Sequence, residues 1–387
     1  MRLFAPFILA MLVSLTCCQT KTAENEEVTI DYEFQKVFYP DSGGVTGADG
    51  LFSVPLPDGN SAFLNGDCFL GYVRNGSRDL STKMLNNSIV IVNAEGTSAR
   101  SIYRGTYDDP ETLFVPDVHG QGHHWYWPGH GFTEDSIFYM FALHMYNDPS
   151  LVRKSDKPED EQDKADKMEE TMFAFAVAGV DLLQYSLPDF RLLRIDSVKY
   201  TYEIDFHLGN LVYTEGNTIY FCGTRNEADG SHIYFGRTSR GNYPYHENWE
   251  FFDGTEWVAD HHQAAPMKMD ISISEQFSIF KIKDKYVLLS MGKFTQDIFT
   301  YTSDFPYKGY ENKTLIYHTT EHENDTTEKI FAYNALAHPQ YIDDDGLLVS
   351  YCINSRNVRD VFTNVDNYRA RFLRVPLGMI DPAFKGY

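Results

Sequence analysis

Residues 46–71, TGADGLFSVPLPDGNSAFLNGDCFLG, read as one tight β-hairpin. Phe52, Val54 and Leu56 alternate into a turn over residues 57–60, and Ala62, Phe63 and Leu64 lead out of it. Folding at Asp58 and Gly59 returns the end of the second strand to the start of the first. Asp49 is thereby set beside Asp67, with Gly50 and Gly66 leaving room for a ligand. Two neighbouring carboxylates of this kind suit acid/base chemistry on a sugar. The plain alternative is that each aspartate caps a turn.

The hairpin has four relatives further along, at residues 132–146, 210–225, 276–293 and 338–354. In each, a short strand meets a polar turn and an apolar, β-rich strand returns. Further strand candidates lie between them, at 88–93, 172–178, 232–237, 298–302 and 371–375, and helical periodicity is almost absent. Five such units predict an all-β fold, a five-bladed β-propeller in a single domain over residues 36–387. Radial repetition also disposes of sheet edges. A pair of β-sandwiches does not predict a five-fold recurrence. The run YRARFLRVP at 368–376 is expected to return and complete the first blade. Residues 153–170, almost wholly charged, read as a surface insertion.

Arg2 and the apolar run 3–15 look like a secretion signal, ending in Leu-Thr-Cys-Cys at 15–18. The spacing predicts a lipoprotein signal peptide over 1–18 and lipidation at Cys18, with a plain cleaved signal as the alternative. Residues 19–35 read as a flexible tether. The expected location is the bacterial cell envelope, anchored by lipid to the outer membrane and otherwise without membrane contact. A formal charge of −22 argues against nucleic acid as partner. Cys68, Cys222 and Cys352, each in an apolar run, are expected to be buried free thiols. A monomer is expected.

If the hairpins are equivalent, the residues opening their first strands converge on one funnel: Asp49, His130, Asn210, Glu275 or Gln276, and His338. Those closing the second strands gather nearby: Asp67, His144, Arg225, Lys293 and Asn354. Such a gathering of ionisable and hydrogen-bonding groups marks a candidate active site. Trp125 and Trp127, within HGQGHHWYWPGHGF, offer indole faces to a sugar ring, the alternative being core. His119, His123, His124 and His130 lack H-E-x-x-H spacing, so no metal site is assigned and no cofactor is required, although a structural cation in the central channel fits the fold. His261 and His262 read as loop residues. Nucleophile-elbow, Walker and dinucleotide motifs are absent from the sequence.

At these residues a family resemblance enters. DGLFSVPLPDGNSAFLNGDCFLG resembles the opening motif of bacterial secreted propeller domains of unknown function. Some of those are placed in glycoside hydrolase family 183 as endo-D-arabinanases, within the wider five-bladed furanosidase superfamily. NWEFFDGTEWV at 248–258, YNALAHPQY at 333–341, LLVSYCINS at 347–355 and YRARFLRVP extend the resemblance over most of the chain. It implies that Asp49 and Asp67 are the catalytic carboxylates and that Glu275 falls where the superfamily's acid lies. The chain departs from the pattern in its GDCF, where relatives carry Thr or Ser, and in His130, where they carry Asp.

The resulting expectation is a glycoside hydrolase acting on a furanosidic, arabinan-like polysaccharide or oligosaccharide. Asp49, Asp67 and Glu275 would be catalytic, and Trp125, Trp127, His130, His144, Arg225, Lys293, His338 and Asn354 would bind substrate. A polysaccharide lyase using His or Tyr with Arg225 on a uronate, and a non-catalytic glycan-binding lipoprotein, are the alternatives.

Overall fold

Several strands bury nearly every residue instead of alternating. Ser88–Val92 and Gly346–Ser355 are buried throughout, and Ser61–Leu70 at all positions but one. A sheet with this pattern is covered on both faces, as blades are when each is wedged between two others. The computed structural model describes residues 27–118, 123–152, 162, 167, 170, 174–204, 206–227, 230–270, 273–293, 295–325 and 329–387. The signal segment with Cys18, His119 and nearly all of the charged insertion lie outside the described residues.

Five antiparallel sheets follow in chain order. Blade I is built on Val45–Pro55, Ser61–Leu70, Ser88–Val92 and Ala99–Ile102. Blade II comprises His124–Glu134, Ile137–Asn147, Phe175–Ser186 and Arg191–Ser197. Blade III comprises His207–Glu215, Thr218–Glu227, Gly230–Ser239 and Glu250–Phe252, with Trp257–Val258 at its edge. Blade IV comprises Ile273–Ile282, Lys285–Gly292, Asp297–Ser303 and Glu311–His318. Blade V comprises Ile330–Asp343, Gly346–Ser355 and Arg371–Val375. First strands of successive blades touch around a closed ring, V against I included. This is the five-bladed propeller expected from the repeats.

The core is divided among the spaces between blades. Phe141, Phe206, Phe221 and Trp249 fill the wedge from II to III. Cys222, Phe235, Phe277 and Leu288 fill III to IV, and Val287, Leu289, Val349 and Tyr351 fill IV to V. The largest cluster spans V, I and II. Cys68, Cys222 and Cys352 are buried free thiols.

Ring closure differs from expectation. Arg371–Val375 does not complete blade I; it pairs with Gly346–Ser355 as the third strand of blade V. The fourth strand is N-terminal, Thr29–Ile30, with Thr29 opposite Arg374 and Ile30 opposite Leu373. Helix α1, Tyr32–Phe38, follows at once. Asp31 caps it, accepting the Phe34 N–H at 2.9 Å through Oδ1 while Arg374 Nε lies 2.8 Å from Oδ2. Phe34 and Phe38 pack on Phe63 and Phe372 in the V–I–II core. The distal part of the stretch read as a tether is therefore folded, because two aromatic side chains at helical spacing bury against the seam.

Candidate active site

Asp49 sits in a bulge. The pairing register of blade I slips on both sides of Gly50, and Gly50 and Leu51 hold φ of +87° and +71°. A bulge re-aims the side chains beside it. A left-handed leucine is strained, and persists when its surroundings fix it; Leu51 is fully buried. Gly66 completes the fit, because a Cβ there would lie 2.6 Å from Asp49 Oδ1.

The two aspartates meet as the hairpin predicts, and their hydrogen-bond partners are all neutral. Asp49 Oδ2 accepts from Tyr333 OH at 2.8 Å and Tyr368 OH at 3.1 Å, and the carboxylate also accepts the Asp67 backbone N–H. Asp67 Oδ1 accepts Trp127 Nε1 at 3.1 Å and Asn86 Nδ2 at 3.3 Å. Burial pushes both carboxyls well above the usual range, and the Asp49 charge pushes Asp67 further. The donors around each partly offset the rise.

Glu275, on the first strand of blade IV, is the opposite case. His207 Nδ1 lies 3.7 Å from Oε2 and Lys293 Nζ 3.4 Å from Oε1. The His207 hydrogen bond, with the His207 and Lys293 charges, holds Glu275 below its ordinary range against the upward pull of desolvation. Lys293 also donates to Ser231 Oγ at 2.7 Å and Asn226 Oδ1 at 3.2 Å. Asn210 Nδ2 donates to the Glu275 carbonyl. Glu275 is thus an anion anchored from blade III.

Asp49, Asp67 and Glu275 line one cavity of about 760 Å³, together with Trp125, Trp127 and Asn354. Asp49, Trp127 and Glu275 continue into a narrower pocket of about 170 Å³, which Asn210 also lines. Trp127 stands edge-on to Phe175 at 4.7 Å and to Trp125 at 6.2 Å. Trp125 stacks with His123 at 5.1 Å and is largely buried. The cavity combines apolar ring faces with carboxyl groups, an arrangement able to hold a polyhydroxylated ring and exchange protons with it.

Four of the expected substrate-binding residues are elsewhere. His130 lines a separate cavity at the other mouth of the channel. Its Nδ1 accepts the Val212 N–H at 3.0 Å, and burial lowers its pKa to about 4. His338 is fully buried between Ser53 Oγ, 2.7 Å from Nδ1, and Ser350 Oγ, 2.8 Å from Nε2, with its pKa lowered to about 3. His144 belongs to a buried cluster inside blade II, 3.0 Å from both His124 Nδ1 and Tyr202 OH and 3.8 Å from Asp181. Arg225 is held between the rings of Phe206 and Tyr234, at 4.4 and 4.6 Å. The three histidines are engaged in joining strands or blades, which explains polar side chains at that depth without a ligand, whereas Arg225 keeps Nε and Nη2 buried without a hydrogen-bond partner among the described residues.

Conversely, Tyr333, Tyr368, Asn86 and His207 reach the catalytic candidates and were not singled out. Tyr333 and Tyr368 open the quoted runs YNALAHPQY and YRARFLRVP, which is the signal that could have found them.

Fold and cavity together define a five-bladed β-propeller with one aromatic cavity lined by three carboxyl groups. A Bacteroides ovatus protein described as a provisional hydrolase superposes with a TM-score of 0.71 at 19% identity, over 91% of this chain and 92% of that one. A GH43_1 enzyme from Xanthomonas citri gives 0.46 at 11% identity over 89% and 92%, and an α-L-arabinofuranosidase from Lactobacillus brevis 0.44 at 11% over 87% and 92%. No curated protein matches the chain. Residues 31–156 and 162–380 match the family described as a domain of unknown function, DUF5005, and the chain belongs to that family.

Proposed function

We propose that the protein is a glycoside hydrolase acting on a furanosidic, arabinan-like glycan, with its two carboxyl functions divided between blade I and blade IV. The acid and base of such an enzyme flank the scissile bond and stand about 5 Å or more apart. Asp49 and Asp67 share one wall, and the Asp67 amide donates to the Asp49 carboxylate, so the pair acts from one side. Glu275, three blades on in chain order and across the ring, acts from the other. The raised pair holds the proton and is the acid; the ion-paired Glu275 is the base or nucleophile. Within the pair, Asp49 receives the two tyrosine hydroxyls and favours charge. Both donors to Asp67 go to Oδ1, which leaves Oδ2 for the proton. Trp127 orients Asp67 and offers its ring to the sugar.

The observation carrying this reading is the contrast between a carboxyl pair with neutral partners and a cation-paired carboxylate in one aromatic cavity. The lyase alternative needed His or Tyr with Arg225; His130, His144 and Arg225 do not line that cavity, and Tyr333 and Tyr368, which do, donate their hydroxyls to Asp49. The test is incubation with D-arabinan, L-arabinan, fructan and a uronate-rich polysaccharide, following reducing ends and the ultraviolet absorbance of unsaturated uronates. Reducing ends without absorbance, lost in Asp67→Asn with glycan binding retained, is the expected result. Absorbance rising with reducing ends establishes a lyase instead, and binding without cleavage establishes a glycan-binding protein.

A further inference from the structure

Outside the cavity, two side-chain clusters among the described residues have the make-up of a metal site, and one of them has further features of such a site. Glu311–His318 is the outermost strand of blade IV, and a 3₁₀ turn, Glu321–Asn324, follows it toward blade V. The register of blade IV sets the His318 end on the same face of the ring as Glu275. His318, His322 and Glu323 each bring a nitrogen or oxygen within 4.8 Å of the others. We infer that these three residues bind a divalent transition metal of the zinc class, fastening the rim of blade IV to the segment that enters blade V.

Three independent features support the assignment. His318 Nε2 lies 3.5 Å from Glu323 Oε1, while two ligands at about 2.0–2.1 Å from a tetrahedral ion are separated by about 3.4 Å. The other nitrogen, His318 Nδ1, is 2.6 Å from Asp297 Oδ1, directly across the strand pair. That carboxylate fixes the tautomer with the hydrogen on Nδ1 and leaves Nε2 as the free donor, the outer support that metal-bound histidines commonly have. His322 buries an Nδ1 with no hydrogen-bond partner among the described residues, an orphan whose lone pair or proton lacks a recipient. Two histidines and one carboxylate suit zinc better than calcium or magnesium, which prefer oxygen.

The second exposed trio, Asp260, His261 and His262, lacks these features. Asp260 is occupied as a cap, accepting the His262 N–H at 3.0 Å, and His261 is stacked on Tyr200 at 4.2 Å. The turn carrying His322 is anchored to blade V by Glu321, whose Oε1 accepts Tyr351 OH at 2.7 Å and faces Arg371 Nε at 3.4 Å. An ion at His318 would therefore join two blades just ahead of the strand bearing Tyr333.

The test is titration of the tag-free full chain with Zn²⁺ alone by calorimetry, with Co²⁺ absorption as a readout of coordination. One ion per chain is expected, with binding weakened at least tenfold in His318→Ala and His322→Ala. Asp297→Asn should weaken it by about 10–100-fold. Glu323→Gln, at an exposed position, serves if a histidine variant misfolds and should also weaken binding. His261→Ala is expected to bind zinc normally. Failure to bind one ion, binding unchanged in the His318 and Glu323 variants, or loss in His261→Ala overturns the assignment. None of these residues touches the cavity, so the inference stands or falls independently of the hydrolase reading.

Discussion

Two walls of one cavity treat the same functional group in opposite ways. On blade I, Asp49 and Asp67 are buried against each other with tyrosine, indole and amide donors. On blade IV, Glu275 faces His207 and Lys293. A carboxyl surrounded by neutral groups keeps its proton, and one beside cations gives it up. Much of the difference lies in neighbours contributed by other blades, Tyr333, Tyr368 and Trp127 for the aspartates and His207 for Glu275, so the propeller helps set the protonation pattern.

The largest effect that would break this comparison is on turnover. Asp67→Asn and Glu275→Gln should each lower kcat by about 10²–10⁴-fold, the range for losing a general acid or base. Full activity in the Glu275 variant would confine the chemistry to blade I. The pH profile of kcat/KM sharpens the same contrast. Glu275 must be ionised, so the acid limb falls only below its depressed pKa; the aspartate pair must hold a proton, so activity is lost as pH rises through its raised pKa. The expected profile is broad, and Asp49→Asn should displace its alkaline limb alone.

Stability should follow the proton too. The raised pair binds more protons folded than unfolded, so its contribution is present below the ordinary aspartate pKa and is lost as pH rises through the folded value. Asp49→Asn should therefore be more stable than the parent at pH 8, by on the order of 1–2 kcal/mol of unfolding free energy, with the advantage gone at pH 4. A smaller effect is expected from Lys293→Met, which removes a partly exposed ion pair of about 0.2–1 kcal/mol. It should move the acid limb toward neutrality and leave the alkaline limb in place. The smallest is Cys68→Thr. Burial keeps this thiol neutral beside Ser88 Oγ at 3.1 Å, so exchange should cost within about 1 kcal/mol and shift neither limb.

The five hairpins were legible because each blade is wedged between others, which forces apolar runs interrupted by polar turns. Asp49 and Asp67 were legible by counting along one hairpin. The same counting failed across blades, and bulges are the reason. Register slips between Pro128 and Gly131, Leu208 and Leu211, Ile273 and Phe277, and Tyr333 and Leu336. The cavity-lining positions are consequently Trp127 and Tyr333, whereas His130 and His338, read as the counterparts of Asp49, fall in a separate cavity and in the buried interior. The closing strand was hidden for another reason: Thr29–Ile30 is too short to carry a period, and its partner is at the far end of the chain.

That closure gives the ring a mechanical seam. Its final sheet is completed by two residues of ladder and a seven-residue helix held by Phe34, Phe38 and the Asp31–Arg374 pair. A load applied to the chain ahead of residue 29 would reach the strand pairs of blade V one after another, as in peeling. Such a load works against the blade that also carries Tyr333, so tension at the amino terminus and the setting of Asp49 share one structural element.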